Sequence, residues 1–265
     1  MNQDYQLFHG DCLEVMDRLI EKGIKVDCVI TDPPYGTTSC KWDSVIPFDE
    51  MWKRLDLLIK PNGAITLFGS EPFSSQLRVS NLKHYKYDWV WKKAKPTGFS
   101  HSKNMPLKDF ENIMVFSKGS IGHKNLLGEK RMIYNPQGLV ECERKIKRTT
   151  KGFEGTMERK SQVNEYIGKL TGFPKMVIEF SNVLFDTKHP TQKPVDLLEY
   201  LIRTYTNEND LILDFTMGSG STGVACLNTN RKFIGIELDD NYFNIAKMRI
   251  EDTYRKGENN GKESL

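Results

Sequence analysis

Leu211-Ile212-Leu213-Asp214-Phe215-Thr216-Met217-Gly218-Ser219-Gly220-Ser221-Thr222-Gly223 sets the fold in thirteen residues. The apolar run from Leu211 to Phe215 reads as a strand, a glycine-rich turn follows, and Thr222 to Asn228 reads as a helix. A second strand, Phe233 to Glu237, ends on an acidic residue 19 positions beyond Gly218. The last helix is expected from Asp239 to about Ile250, with a polar tail at 253–265. Immediately upstream, Pro194 is placed as a first helical residue, with Val195, Leu198, Leu201, Ile202 and Tyr205 on one face.

The N-terminal third repeats the same rhythm. Tyr5 to His9 and Val26 to Ile30 read as strands around a helical spacing of Leu13, Val15, Met16, Leu19 and Ile20. Phe48 to Ile59 gives a second amphipathic helix, stopped at Pro61-Asn62-Gly63 and followed by a strand, Ala64 to Phe68. A further helix begins near Pro72, and Tyr85 to Trp91 and Asn112 to Phe116 read as strands. Alternating strands and helices predict an α/β fold, a mostly parallel sheet with helices on both faces. The rhythm fails between Gly119 and Phe180, which is expected to be an insertion rather than part of the sheet.

Composition bounds the class. The chain has 265 residues, 38% hydrophobic and 28% charged, which excludes collagen-like, coiled-coil and mostly disordered readings. No apolar run approaches the ~18 residues of a membrane span. The early acidic residues Asp4, Asp11 and Glu14 do not suit a signal peptide, so the expected location is the cytoplasm, away from membranes. Five cysteines, odd in number and never in C-x-x-C spacing, indicate neither a disulfide framework nor a metal site. The net charge of +3 is unevenly spread: Lys92 to Gly172 holds 17 basic against 8 acidic residues, a balance of +9, and the remainder carries −6. A local basic excess suits nucleic acid, although solvated surface produces the same signal.

Two segments carry chemistry. In the glycine turn, Gly218-Ser219-Gly220-Ser221-Thr222-Gly223 lets the backbone approach a ligand, and Glu237 can accept hydrogen bonds from ribose hydroxyls. The glycines leave a nicotinamide dinucleotide and S-adenosylmethionine both open, since each carries an adenosine ribose and an anionic group for a helix N-terminus. The second segment, Asp32-Pro33-Pro34-Tyr35-Gly36, directly follows a strand and therefore sits at a sheet's ligand-binding edge. Two prolines fix the backbone and remove two N–H donors, leaving carbonyl and carboxylate acceptors beside an aromatic face. That equipment suits an exocyclic amino group.

Asp32-Pro33-Pro34-Tyr35 resembles the catalytic motif of DNA amino-methyltransferases, and Asp214 to Gly220 resembles their cofactor motif. His189-Pro190-Thr191-Gln192-Lys193-Pro194 is similar to the segment preceding the first helix of their cofactor half. Phe233 to Glu237 resembles their ribose-binding strand, and Gly10-Asp11-Cys12-Leu13 the motif whose acidic residue lies near the cofactor adenine. Catalytic motif first and cofactor motif last is the order of the β group. The likeness covers roughly residues 5–118 and 183–250. It implies a circularly permuted, Rossmann-like methyltransferase domain with its catalytic half at 1–118 and its cofactor half at 183–252. The region at 119–182 then falls where the family places target recognition. The family has Pro-Phe after the cofactor-motif aspartate, whereas this chain has Phe215-Thr216, an aromatic displaced by one position. Asp rather than Ser before Pro-Pro-Tyr resembles adenine-N6 more than cytosine-N4 enzymes.

The resemblance implies S-adenosylmethionine as cofactor, held by Asp11, Cys12, Asp32, Thr191, Gln192, Lys193, Asp214, Phe215, Gly218, Ser219, Gly220, Ser221, Thr222, Glu237 and Leu238. It implies Asp32, Pro33, Pro34 and Tyr35 as catalytic residues and duplex DNA with a flipped target base as substrate. A homodimer and a cognate restriction endonuclease are compatible partners. Asp32 and the Pro33 carbonyl would accept the two amino hydrogens while Tyr35 stacks on the base; no metal is expected. Lys193 is open between pairing with the methionyl carboxylate and being a solvated lysine. Trp89 and Trp91 are expected in the core, Trp42 could stack on a base, and His9 and His84 read as structural. A dehydrogenase would explain the glycines and Glu237 but leave Asp32 to Tyr35 idle, and a non-catalytic nucleic-acid binder would explain the charge alone.

Overall fold

Strand β2 (Val26–Thr31) is buried at every position, so it needs cover on both faces. Its one charged residue, Asp27, satisfies its carboxylate by accepting from Lys60 Nζ at 2.6 Å and from the Leu211 amide at 3.0 Å. The computed structural model describes residues 4–36, 44–123, 127–149, 163–182 and 192–263. The other strands are β1 (Tyr5–His9), β3 (Ile59–Gly69), β4 (Tyr85–Thr97), β5 (Lys108–Phe116), β6 (Val140–Thr149), β7 (Val163–Thr171), β8 (Val177–Phe180), β9 (Leu211–Asp214) and β10 (Lys232–Glu237). Eight of them form one sheet in the order β1-β10-β9-β2-β3-β5-β4-β8. Within it β5 alone runs against its neighbours.

Helices α1 (Cys12–Glu21), α2 (Phe48–Leu58) and α3 (Phe73–Ser80) bury Val15, Met16, Leu19, Met51, Leu55 and Leu77 against one face. Helices α4 (Val195–Tyr205), α5 (Ser221–Asn228) and α6 (Asp240–Glu263) bury Leu198, Leu201, Tyr205, Cys226, Ala246 and Ile250 against the other. The alternation of β2 from Cys28 onward shows why both covers are needed, since Cys28 and Ile30 enter the second cluster and Val29 the first; Val26 joins the first because the register shifts between Val26 and Cys28. Trp89 and Trp91 lie in the core as expected, and Trp42 lies outside the described residues.

Several boundaries differ from the sequence reading. Pro194 is the N-cap, with helical residues starting at Val195. The stop at Pro61-Asn62-Gly63 lies inside β3, where the backbone is already extended. The compact second unit is Pro136–Lys175, narrower than 119–182. Residues before it belong to the larger unit because Met132 is buried in the core and the Ile133 amide donates to the Asn62 carbonyl at 3.1 Å. Residues after it do so because β8 pairs parallel with β4. The helix α6 continues through 253 to Glu263, within the segment expected as a polar tail. The smaller unit is built on an antiparallel ribbon, β6 with β7, with Val140, Ile167 and Leu170 exposed.

Candidate active site

Strands β1, β2, β9 and β10 are parallel neighbours, so their carboxyl ends share one edge of the sheet. Asp11 follows β1, Asp32 follows β2, the glycine turn follows β9 and Glu237 ends β10. All four meet in one cleft of about 330 Å³. Its wall includes Asp11, Cys12, Asp32, Pro33, Pro34, Tyr35, Gln192, Lys193, Asp214, Phe215, Gly218, Ser219, Ser221, Thr222, Glu237 and Leu238. Thr191 lies outside the described residues. The sequence reading missed Phe68, Ile46, Pro47 and Tyr242, also on the wall. These belong to no motif, and only the fold brings them there.

The catalytic and cofactor segments are tied together below the cleft. Thr31 Oγ1 donates to Asp214 Oδ1 at 3.0 Å and accepts from the Phe215 amide at 3.1 Å. Thr222 Oγ1 donates to Asp214 Oδ2 at 2.6 Å, and the Thr216 amide donates to Oδ1 at 3.2 Å. Thr216 Oγ1 in turn donates to the Asp32 carbonyl at 3.1 Å. Burial pushes the Asp214 carboxyl up to about 7 despite these donors. The Thr31 hydroxyl therefore ties the end of β2 to Asp214 and Phe215, 183 and 184 positions away.

The glycine turn has its own supports. Glu237 Oε2 accepts from the Gly218 amide at 2.8 Å and Oε1 from the Asp239 amide at 2.8 Å, which fixes the carboxylate at the end of β10. Burial raises its carboxyl above the ordinary range. Asp11 caps α1 through the Leu13 and Glu14 amides, at 2.8 and 3.2 Å. Arg249 on α6 holds the turn from behind, donating to the Ser219 carbonyl at 2.5 Å and to Ser219 Oγ at 2.9 Å. Gly220 does not line the cleft. Its φ is +77°, and a β-carbon there would stand 2.9 Å from Ala246 Cβ, so its need for glycine comes from packing against α6.

Asp32 is held from both sides. Tyr35 donates its hydroxyl to Asp32 Oδ1, and its ring stacks on Phe73 with centroids 4.8 Å apart and planes 27° apart. Lys193 donates to Asp32 Oδ2 and also lies 3.3 Å from Glu111 Oε2. The reading of Lys193 as a solvated lysine is therefore replaced: its side chain is 9% exposed and sits between two carboxylates. Burial alone would lower its ammonium, but Asp32 and Glu111 outweigh that and hold it above the usual lysine range. Cys12 is on the wall, yet burial and the Asp11 charge push its thiol up to about 12, so it stays protonated near neutral pH. Among the described residues no group of His, Cys, Asp or Glu could hold a metal ion, and no helix is long and apolar enough to cross a membrane.

The wall fits S-adenosylmethionine. Glu237 suits ribose hydroxyls, the turn at Gly218 and Ser219 brings backbone close to a ligand, and Phe215, Ile46 and Pro47 supply apolar surface for an adenine.

Comparison with known proteins agrees. The family model for N6/N4 DNA methylases matches residues 26–248. The chain is 30% identical over 266 residues to the type II methyltransferase M1.MboII of Moraxella bovis, covering 90% of this chain and 93% of the relative. It is 26% identical over 271 residues to the DNA adenine methyltransferase YhdJ of Escherichia coli, covering 94% and 84%. The crystal structure of the M1.HpyAVI–SAM complex superposes with a TM-score of 0.61 at 28% identity, covering 93% of this chain and 98% of that one. The dehydrogenase and pure-binder readings fall away, and the chain belongs to the β group of N6-adenine/N4-cytosine DNA methyltransferases, with S-adenosylmethionine as its cofactor.

Proposed function

We propose that the protein is a site-specific DNA methyltransferase that works in the cytoplasm on adenine N6 of a nucleotide flipped out of the duplex. The observation that carries this reading is Asp32 and the glycine turn sharing one cleft, with the Asp32 backbone anchored by Thr216 of the cofactor motif. The aspartate before Pro33-Pro34-Tyr35 and the adenine relative support adenine over cytosine.

S-adenosylmethionine supplies an electrophilic methyl group on a sulfonium sulfur. The chain's part is to present an amine lone pair to it. Asp32 and the Pro33 carbonyl accept the two amino hydrogens, which withdraws the nitrogen lone pair from the ring. Both Asp32 oxygens already accept one bond, and each keeps a second lone pair for this purpose. Positioning of this kind is worth up to ~7–11 kcal/mol in well-oriented systems. The methylated nitrogen, now cationic, releases a proton to water or to Asp32. Extruding a base costs a few kcal/mol, which phosphate contacts from the basic segment 92–172 offset. We assign base readout to the region at 119–182, which includes the smaller unit Pro136–Lys175.

Single-molecule sequencing of DNA from cells expressing the protein tests the proposal. N6-methyladenine in one sequence context is expected. N4-methylcytosine in its place would overturn the adenine assignment while leaving the enzyme class intact.

A further inference from the structure

Asp32 belongs to a charge cluster of which Glu111 and Lys93 lie in no motif. Lys193 Nζ touches Asp32 Oδ2 and lies 3.3 Å from Glu111 Oε2, while Lys93 Nζ lies 2.6 Å from Glu111 Oε1. The side chains of Asp32, Lys193, Glu111 and Lys93 are 19, 9, 15 and 12% exposed. They come from the loop after β2, the segment before α4, and the adjoining strands β5 and β4. Aromatic faces complete the surroundings, with Phe68 5.1 Å from Lys193 Nζ and Trp91 5.4 Å from Lys93 Nζ. Two carboxylates and two ammoniums leave the cluster neutral.

A buried lysine with one carboxylate would concentrate its attraction there. Here Glu111 divides it, and Glu111 Oε2 makes no hydrogen bond, only the charge contact with Lys193. Glu111 does not line the cleft, so its influence on the reaction runs through Lys193. We propose that Glu111, anchored by Lys93, is a positioning residue that sets how tightly Lys193 holds Asp32, and so the pH at which Asp32 becomes the carboxylate that receives the target amine. The inference rests on Asp32 holding that amine.

Among the described residues, the charged and titratable groups facing Asp32 are Lys193, Glu111 and Tyr35, with Asp214 next in the adjoining loop. Burial pushes the Asp32 carboxyl up, Lys193 opposes this, and Glu111 adds to it. Glu111→Gln therefore removes a like charge, and Lys193→Gln removes an opposite one. Their effects on Asp32 have opposite signs.

The test measures the pH dependence of kcat and, separately, the Asp32 carboxyl titration by 13C NMR of aspartate-labelled protein. For Glu111→Gln the titration is expected to move to lower pH by about 1 unit, and for Lys193→Gln to higher pH by about 1–3 units. Glu111→Asp keeps the charge and is expected to titrate as the parent does, with a lower kcat from altered geometry. S-adenosylmethionine affinity by calorimetry is expected to be unchanged in Glu111→Gln. Unmoved titrations, or shifts of the same sign in both variants, would overturn the inference. Where Glu111→Gln fails to fold by circular dichroism, Glu111→Ala, which removes the same charge, takes its place under the same criterion. Titrations that move as expected while the acid limb of kcat stays fixed would uphold the positioning role and overturn instead the assignment of the amine to Asp32.

Discussion

Replacing Thr31 by valine keeps shape and removes a hydroxyl that joins the two halves of the site by two hydrogen bonds. Thr31 is 1% exposed, so nothing but protein can substitute for what is lost. Two groups are affected: the Phe215 amide loses its acceptor, and Asp214 Oδ1 loses a donor. An orphaned buried N–H costs ~1–3 kcal/mol, and a hydrogen bond to a charged group contributes ~1.5–3 kcal/mol. Because both share one hydroxyl they do not add fully, and a loss of about 2–4 kcal/mol is expected at pH 8. The pH dependence follows from Asp214. Its carboxyl is raised from 3.8 to about 7 in the folded protein, so the native state binds that proton more tightly than the unfolded chain does. Its contribution to stability is present at low pH and is lost as pH rises from 3.8 through 7. Removing a donor from the ionised form raises the folded value further, so the variant suffers most above pH 7. Urea denaturation should give a loss about 1 kcal/mol smaller at pH 5.5 than at pH 8. An equal loss at both pH values, or one under ~0.5 kcal/mol, would refute the role given to this hydroxyl.

Two other outcomes follow from the same structure. Gly220→Val forces a β-carbon into Ala246 at φ +77° and should destabilise the protein by about 2–5 kcal/mol in urea denaturation, with weaker S-adenosylmethionine binding by calorimetry because the turn shifts. Parental stability would show that the turn accommodates side chains. Arg144→Ala combined with Lys145→Ala, both exposed on β6, should flatten the log affinity against log salt slope for DNA by about 0.9 for each phosphate that is no longer neutralised. An unchanged slope would place the phosphate-binding groups on other residues.

The residues that make the site were legible in the sequence where local rules suffice. Asp32-Pro33-Pro34-Tyr35 and Gly218-Ser219-Gly220 each follow an apolar run, and a run ending in such a turn announces both a strand end and a ligand edge. Helix positions were legible too, since period-3.6 burial repeats within ten residues. The ribbon of β6 and β7 was not, because a ribbon with Val140, Ile167 and Leu170 exposed imposes no apolar alternation. Nor was β8, four residues long, whose place beside β4 depends on pairing with a strand about 90 positions earlier. The partners of Lys193 were likewise decided only by tertiary structure. Asp32 lies 161 positions away, and Glu111 comes from the antiparallel strand inserted between β3 and β4. A motif fixes which groups are available, whereas burial and long-range pairing fix their protonation and direction. The sequence alone therefore named the chemistry of this protein, and the folded sheet determined which charges surround the atom that performs it.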